Sequence, residues 1–92
     1  VKIIELTTPT CAYCKSQKVI LEQVGKERGI EVQVLDITTS ELGQRYAEQC
    51  RVTTVPYLVF LSDGGLVVYG SGGFQSRESV LRALDLALGL EG

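Results

Sequence analysis

The 92-residue chain has no histidine and no tryptophan, and only two prolines and three cysteines. A structural zinc site needs four nitrogen or sulfur ligands, so these side chains do not close one by themselves. Three cysteines are an odd and sparse set, unlike the dense even sets of secreted disulfide scaffolds. No excess of positive charge exists either: nine Lys and Arg stand against 11 Asp and Glu, for a net charge of -2. That balance excludes the basic surface of a nucleic-acid binder, and no nucleic acid is expected as a partner. Long apolar runs are missing. The stretch from Val55 to Leu61 is far shorter than the roughly 20 residues of a membrane helix and contains Pro56. No basic segment followed by an apolar one opens the chain, which gives the expectation of a cytoplasmic protein with no membrane partner. What is present is ordinary globular material, 45% hydrophobic and 22% charged, enough for a single domain over residues 1–92.

The β-branched run Val1 to Thr7 ends near the breaker Pro9 and predicts a strand leading into a tight loop. Thr10 is placed to cap a helix from about Cys11 to Arg28, with Val19, Ile20, Leu21 and Val24 at helical spacing and Gly29 as the stop. From Ile30 to Ile37 apolar and polar residues alternate as in a strand with one drier face. These three elements make a βαβ unit with parallel strands and a right-handed crossover. Thr38 and Glu41, three apart, predict a capping box and a helix to about Cys50 whose apolar face is Leu42, Tyr46 and Cys50. Tyr57 to Leu61 and Leu66 to Tyr69 flank the turn Ser62-Asp63-Gly64-Gly65 as an antiparallel hairpin. A loop around Ser71-Gly72-Gly73 then precedes a helix from about Ser76 to Leu88, with Val80, Leu81, Leu84 and Leu88 turned inward. The expected order is βαβαββα, an α/β fold with a four-stranded mixed sheet flanked by three helices.

Cys11-Ala12-Tyr13-Cys14 puts two thiols at a helix start, close enough to form a small disulfide ring. The unpaired N–H groups and partial positive charge of a helix N-terminus stabilise a thiolate, so Cys11 is expected to be the nucleophile. Cys14, one turn further in, would resolve the mixed disulfide that Cys11 forms. Two blander readings stand beside this one: a metal or iron-sulfur site shared between two chains, and an inert structural disulfide. A four-residue ring constrains the unfolded chain little, which argues against the staple.

TTPTCAYCK, VTTVPYLVF and the Gly72-Gly73 region together resemble the thioredoxin superfamily over nearly the whole chain. The resemblance implies a thioredoxin fold of the glutaredoxin-like kind, and a thiol-disulfide oxidoreductase whose only prosthetic element is the Cys11-Cys14 pair, with no separate cofactor and no metal. It implies a cis bond before Pro56, with the backbone of Val55 pairing with an extended substrate. Tyr13, Thr54, Val55, Pro56, Gly72 and Gly73 become the expected substrate-binding residues. Features of two branches are mixed. Tyr13, Thr54-Val55-Pro56 and the glycine pair resemble glutaredoxins, whereas Asp63-Gly64 and the long hairpin from Pro56 to Gly72 resemble thioredoxins. No basic residue precedes Cys11 in Thr7 to Thr10, and Phe74-Gln75-Ser76 replaces the acidic or Cys-Asp group that usually follows the glycine pair; Arg51 could hold a carboxylate, although an arginine after a helix is more often just solvated. The chain thus resembles the small microbial thioredoxin/glutaredoxin hybrids. The partners this implies are protein disulfides and a thioredoxin-reductase-type flavoenzyme, with glutathione as the rival donor, acting on a monomer.

Two further residues interrupt their patterns. Glu5 breaks an apolar strand six residues before Cys11, where thioredoxins carry a buried acid, and a buried carboxylate there could take the proton from Cys14. The alternative is a partly exposed strand glutamate. Cys50 shares a helix face with Leu42 and Tyr46 and reads as a small buried hydrophobe without a catalytic role.

Overall fold

The β-branched start of the chain forms strand β1 (Lys2–Thr7) in the computed structural model, which describes residues 1–91 and the side chains of residues 1–89. The elements that follow are α1 (Cys14–Arg28), β2 (Glu31–Asp36), α2 (Glu41–Gln49), β3 (Tyr57–Leu61), β4 (Val67–Gly72) and α3 (Arg77–Glu91). This is the expected βαβαββα order. The four strands lie in the order β2-β1-β3-β4, with β1 parallel to β2 and antiparallel to β3, and β4 antiparallel to β3. Strands β1 and β3 are therefore covered on both edges, and between them they carry most of the buried apolar side chains of the sheet.

Alternation along the strands divides the core in two. Ile3, Leu58 and Phe60 pack with Leu21 and Val24 of α1 and Val80, Leu84 and Ala87 of α3. Ile4, Leu6, Val59 and Leu61 form the other face, against Tyr46 and Ala47 of α2 and Cys50 just past its end. Each fully buried Val, Leu, Ile or Phe among them contributes roughly 1.5–3 kcal/mol, before the entropy of ordering the chain is set against it.

Several element ends differ from the sequence expectation. Helix α1 begins at Cys14, not Cys11, and Thr10 does not cap it; Tyr13 takes the cap position with no side-chain hydrogen bond. Its stop is as expected, with Gly29 left-handed at φ 66° and donating to the Gly25 carbonyl. Val19 is exposed, and the buried stripe is Cys14, Gln17, Leu21, Val24 and Gly25. Thr38 does not cap α2, because the Asp36 carboxylate accepts both its N–H (2.8 Å) and its hydroxyl (2.6 Å). Ser40 caps instead, accepting from the Gly43 N–H at 2.9 Å. Leu42 is exposed, leaving Gly43, Tyr46 and Ala47 to face the sheet. Strand β4 starts after the exposed Leu66 and runs past Tyr69 to Gly72, with a bulge near Leu61. Glycine permits that extension, since a Cβ on Gly70 would lie 2.4 Å from the Tyr57 hydroxyl. In α3, Ala87 is buried and Leu88 is exposed. Ser76 caps this helix by accepting from the Ser79 N–H.

Helix α2 ends in a Schellman turn whose left-handed residue is Arg51 (φ 53°), with Val52 N–H donating to Ala47 and Arg51 N–H to Glu48. A Cβ-bearing residue pays about 1–2 kcal/mol for that conformation, and glycine recovers only part of it because it frees the unfolded chain. Arg51→Gly is expected to raise stability by about 0.5–1 kcal/mol, seen as a higher urea midpoint at unchanged slope. A lower midpoint would show that the Arg51 side chain makes a contact worth more than the strain.

Candidate active site

Between β1 and α1 the chain turns back on itself, and the Cys11 N–H donates to the Thr8 carbonyl at 3.2 Å. Cys11 and Cys14 are joined as a disulfide, their Cα atoms 5.5 Å apart. Cys11 is half-buried and Cys14 is only 7% exposed, the asymmetry that an attacking and a resolving thiol require. The first intrahelical bond runs from Gln17 N–H to Tyr13, so the N–H groups of Cys14, Lys15 and Ser16 have no partner within α1. Cys11 lies just ahead of the helix, at the end where these groups give a partial positive charge. No acidic residue occupies the first turn. Both features favour a thiolate at Cys11 once the pair is reduced.

Register brings the second segment alongside. Leu6 pairs with Tyr57, so Pro56 falls at the end of β1 from which the cysteine loop emerges. The Val55–Pro56 bond is cis, and Pro56 is buried while Thr54 is exposed and Val55 half-buried. Gly73, with φ 86°, donates its N–H to the Pro56 carbonyl at 2.9 Å. A Cβ on Gly72 would lie 2.9 Å from Thr54 Cγ2, so this glycine is needed for close packing of the two segments. Tyr13 and Phe74, 63% and 45% exposed, bring their rings within 6.0 Å of each other. The structure therefore places Tyr13, Thr54, Val55, Pro56, Gly72 and Gly73, all uncharged, at one end of the sheet.

Glu5 is fully buried on the α1 side of the sheet, opposite Val34 and Leu58 on the neighbouring strands. Neither carboxylate oxygen has a hydrogen-bond partner among the described residues. Burial pushes its pKa up to about 7, against a smaller downward pull from Lys18. The exposed-glutamate alternative does not describe this side chain. Cys50 is half-buried, not buried; desolvation holds its thiol above the ordinary value, and a hydrogen bond with Tyr57 opposes this. Arg51 is exposed.

One residue at this site escapes a reading of the sequence. Gln17 is fully buried and makes two hydrogen bonds with the backbone of Gln75. A signal for it exists: Gln17 occupies the same helical stripe as Cys14, Leu21 and Val24, and a lone amide in an apolar stripe needs internal partners.

No helix among the described residues is long and apolar enough to cross a membrane. Residues 2–58 match the family described as Glutaredoxin-like domain (DUF836). The thioredoxin of Bacillus subtilis (strain 168) is 31% identical over 80 residues, covering 87% of this chain and 75% of that protein. Thioredoxin 1 from the thermophilic eubacterium Thermosipho africanus TCF52B superposes with a TM-score of 0.76 at 21% identity, covering 98% of this chain and 97% of the other. A mutant thioredoxin from Halobacterium salinarum NRC-1 gives 0.75 at 21% identity, covering 98% and 74%. These structures share the fold, and the paired cysteines at the head of α1 supply its thiol-disulfide redox chemistry. The chain belongs to the glutaredoxin-like domain family of the thioredoxin superfamily.

Proposed function

We propose that the protein reduces disulfides in protein substrates and is itself reduced by a thioredoxin-reductase-type flavoenzyme. The observation that carries this reading is the exposed aromatic pair Tyr13 and Phe74, their rings within 6.0 Å, at the end of the sheet that also carries the uncharged Thr54 and Val55. An extended protein segment needs an apolar surface and a backbone edge with which to pair. Glutathione is a small anion with two carboxylates, and a dedicated site would need cations next to the first cysteine. The Thr7 to Thr10 stretch has none, and the loop after Gly73 offers Phe74 and Gln75.

In the proposed cycle the Cys11 thiolate attacks one sulfur of the substrate disulfide. The substrate S–S bond breaks, a Cys11–substrate disulfide forms, and the first substrate thiolate takes up a proton. Cys14 then loses its proton to the Glu5 carboxylate and attacks the Cys11 sulfur. The second substrate thiolate leaves, and the Cys11–Cys14 disulfide remains. Two electrons have passed to the substrate. A Glu5 pKa of about 7 suits this proton transfer, since the group exchanges protons readily near neutral pH.

Steady-state turnover of the same oxidised protein with each donor tests the assignment. Saturable reduction by the flavoenzyme and slow, unsaturable reduction by glutathione are expected. Saturation by glutathione at about millimolar levels or below, with no turnover by the flavoenzyme, would make it a glutathione-dependent glutaredoxin. Iron or zinc retained by a dimer purified under reducing conditions would favour the shared metal site instead.

A further inference from the structure

The aromatic pair depends on a piece of chain that has little reason to hold its shape alone. Gly73, Phe74, Gln75 and the capping Ser76 link β4 to α3, and Phe74 is nearly half exposed. Yet the backbone on either side of Phe74 is tied down. On one side, Gly73 N–H donates to the Pro56 carbonyl at 2.9 Å. On the other, Gln17 Oε1 accepts from Gln75 N–H at 2.7 Å, and Gln17 Nε2 donates to the Gln75 carbonyl at 3.1 Å. One side-chain amide thus satisfies both backbone groups of Gln75, as a neighbouring strand would. The Gln75 side chain closes the loop by donating to Ser71 Oγ at 2.9 Å and towards the Gly72 and Gly73 carbonyls.

Gln17 stands one helical turn beyond Cys14, and Tyr13 caps the same helix. The 6.0 Å approach of Tyr13 and Phe74 is therefore set by α1 at both ends: directly for Tyr13 and through the Gln17 amide for Phe74. A fully buried amide is costly unless all its groups are paired, and here the pairing is with a loop 58 residues away in sequence. An apolar residue at this place in the stripe would fill the space without holding the loop.

We propose that Gln17 is a positioning residue for substrate recognition: it fixes Phe74 against Tyr13 beside the dithiol and so gives the site its preference for protein disulfides over small ones. This rests on the protein-disulfide reading above. Gln17 touches neither reacting sulfur in this role, so its effect falls on docking and not on thiol chemistry.

The test compares insulin with bis(2-hydroxyethyl) disulfide, an uncharged small substrate, in wild type, Gln17→Met, Phe74→Ala and the double variant. Methionine keeps the length of the side chain and removes both hydrogen bonds. Gln17→Met is expected to lower kcat/KM for insulin about ten-fold, mainly through KM, with the small disulfide changed less than two-fold. Amide exchange at Gln75 should speed up, and the pH profile of Cys11 alkylation should stay where it is. Phe74→Ala, at an exposed site that does not threaten folding, should reproduce the insulin defect, and adding Gln17→Met to it should cost little more. Equal losses on both substrates, no loss on either, or additive losses in the double variant would each overturn the inference. Should Gln17→Met fail to fold, Gln17→Glu assayed at about pH 9 replaces it: once ionised, its carboxylate can still accept from Gln75 N–H but cannot donate to its carbonyl. A wild-type protein inert toward insulin removes the protein-disulfide reading and the inference with it, whereas an active wild type with unchanged preference in the variants removes the inference alone.

Discussion

Replacing Cys11 by serine is expected to abolish insulin reduction, a fall of about a thousand-fold or more, because no other thiol can take its place at the site. Cys50, the remaining cysteine, packs against the α2 side of the sheet, and burial raises its pKa, so it is a poor substitute nucleophile. Cys14→Ser should behave differently. Its Cys11 still attacks but nothing resolves the product, so mixed disulfides accumulate and appear in non-reducing gels or intact mass spectra. The difference follows from position: Cys11 is half-buried ahead of α1, while Cys14 is within its first turn and 7% exposed. Normal turnover in Cys11→Ser, or trapping by Cys11→Ser in place of Cys14→Ser, would reverse the assignment.

Glu5→Gln is expected to remove a pH dependence of stability that the wild type carries. The Glu5 pKa is raised from 4.5 to about 7, so between these values the folded state binds a proton that the unfolded state has lost. Folding stability therefore falls as pH rises from about 4.5 to about 7, and the loss totals about 3 kcal/mol once both states are ionised. Below 4.5 both states are protonated and the group contributes no pH dependence. In Glu5→Gln the difference between urea midpoints at about pH 5 and about pH 8 should shrink accordingly, whatever offset the buried amide adds at both. Parallel pH curves for variant and wild type would show that Glu5 is not held protonated by its surroundings. The same variant should slow release of substrate from the mixed disulfide most near neutral pH. Above about pH 9 the slowing should vanish, because Cys14 then ionises without help. Rapid-quench trapping of the intermediate measures this.

The strand and helix order and the position of the paired cysteines were legible in the sequence, because they rest on local periodicity and on breakers that act through their own backbone. Gly29 stops α1 by its left-handed conformation, whatever the rest of the molecule does. Element ends were less legible where two local signals competed. Thr38 and Ser40 are both good caps, and Asp36 decided between them by accepting both polar hydrogens of Thr38. The extension of β4 to Gly72 could not be read from glycines that ordinarily weaken a strand, since it depends on a tyrosine packed against them from β3.

The chemistry divides along the same line. Two thiols three residues apart at a helix start determine a redox pair by themselves, since spacing and helix polarity are local properties. The environment of Glu5 is not local. Its isolation comes from its place on β1, an interior strand of a sheet with helices on both faces, which removes water from a carboxylate and leaves it unpartnered among the described residues. Gln17 is the clearest case: the sequence places an amide in an apolar stripe, but only the folded chain brings Gln75 to it from 58 residues away. Burial and long-range hydrogen bonds are properties of the packed sheet and helices, and in this protein they decide how the locally encoded cysteines are surrounded.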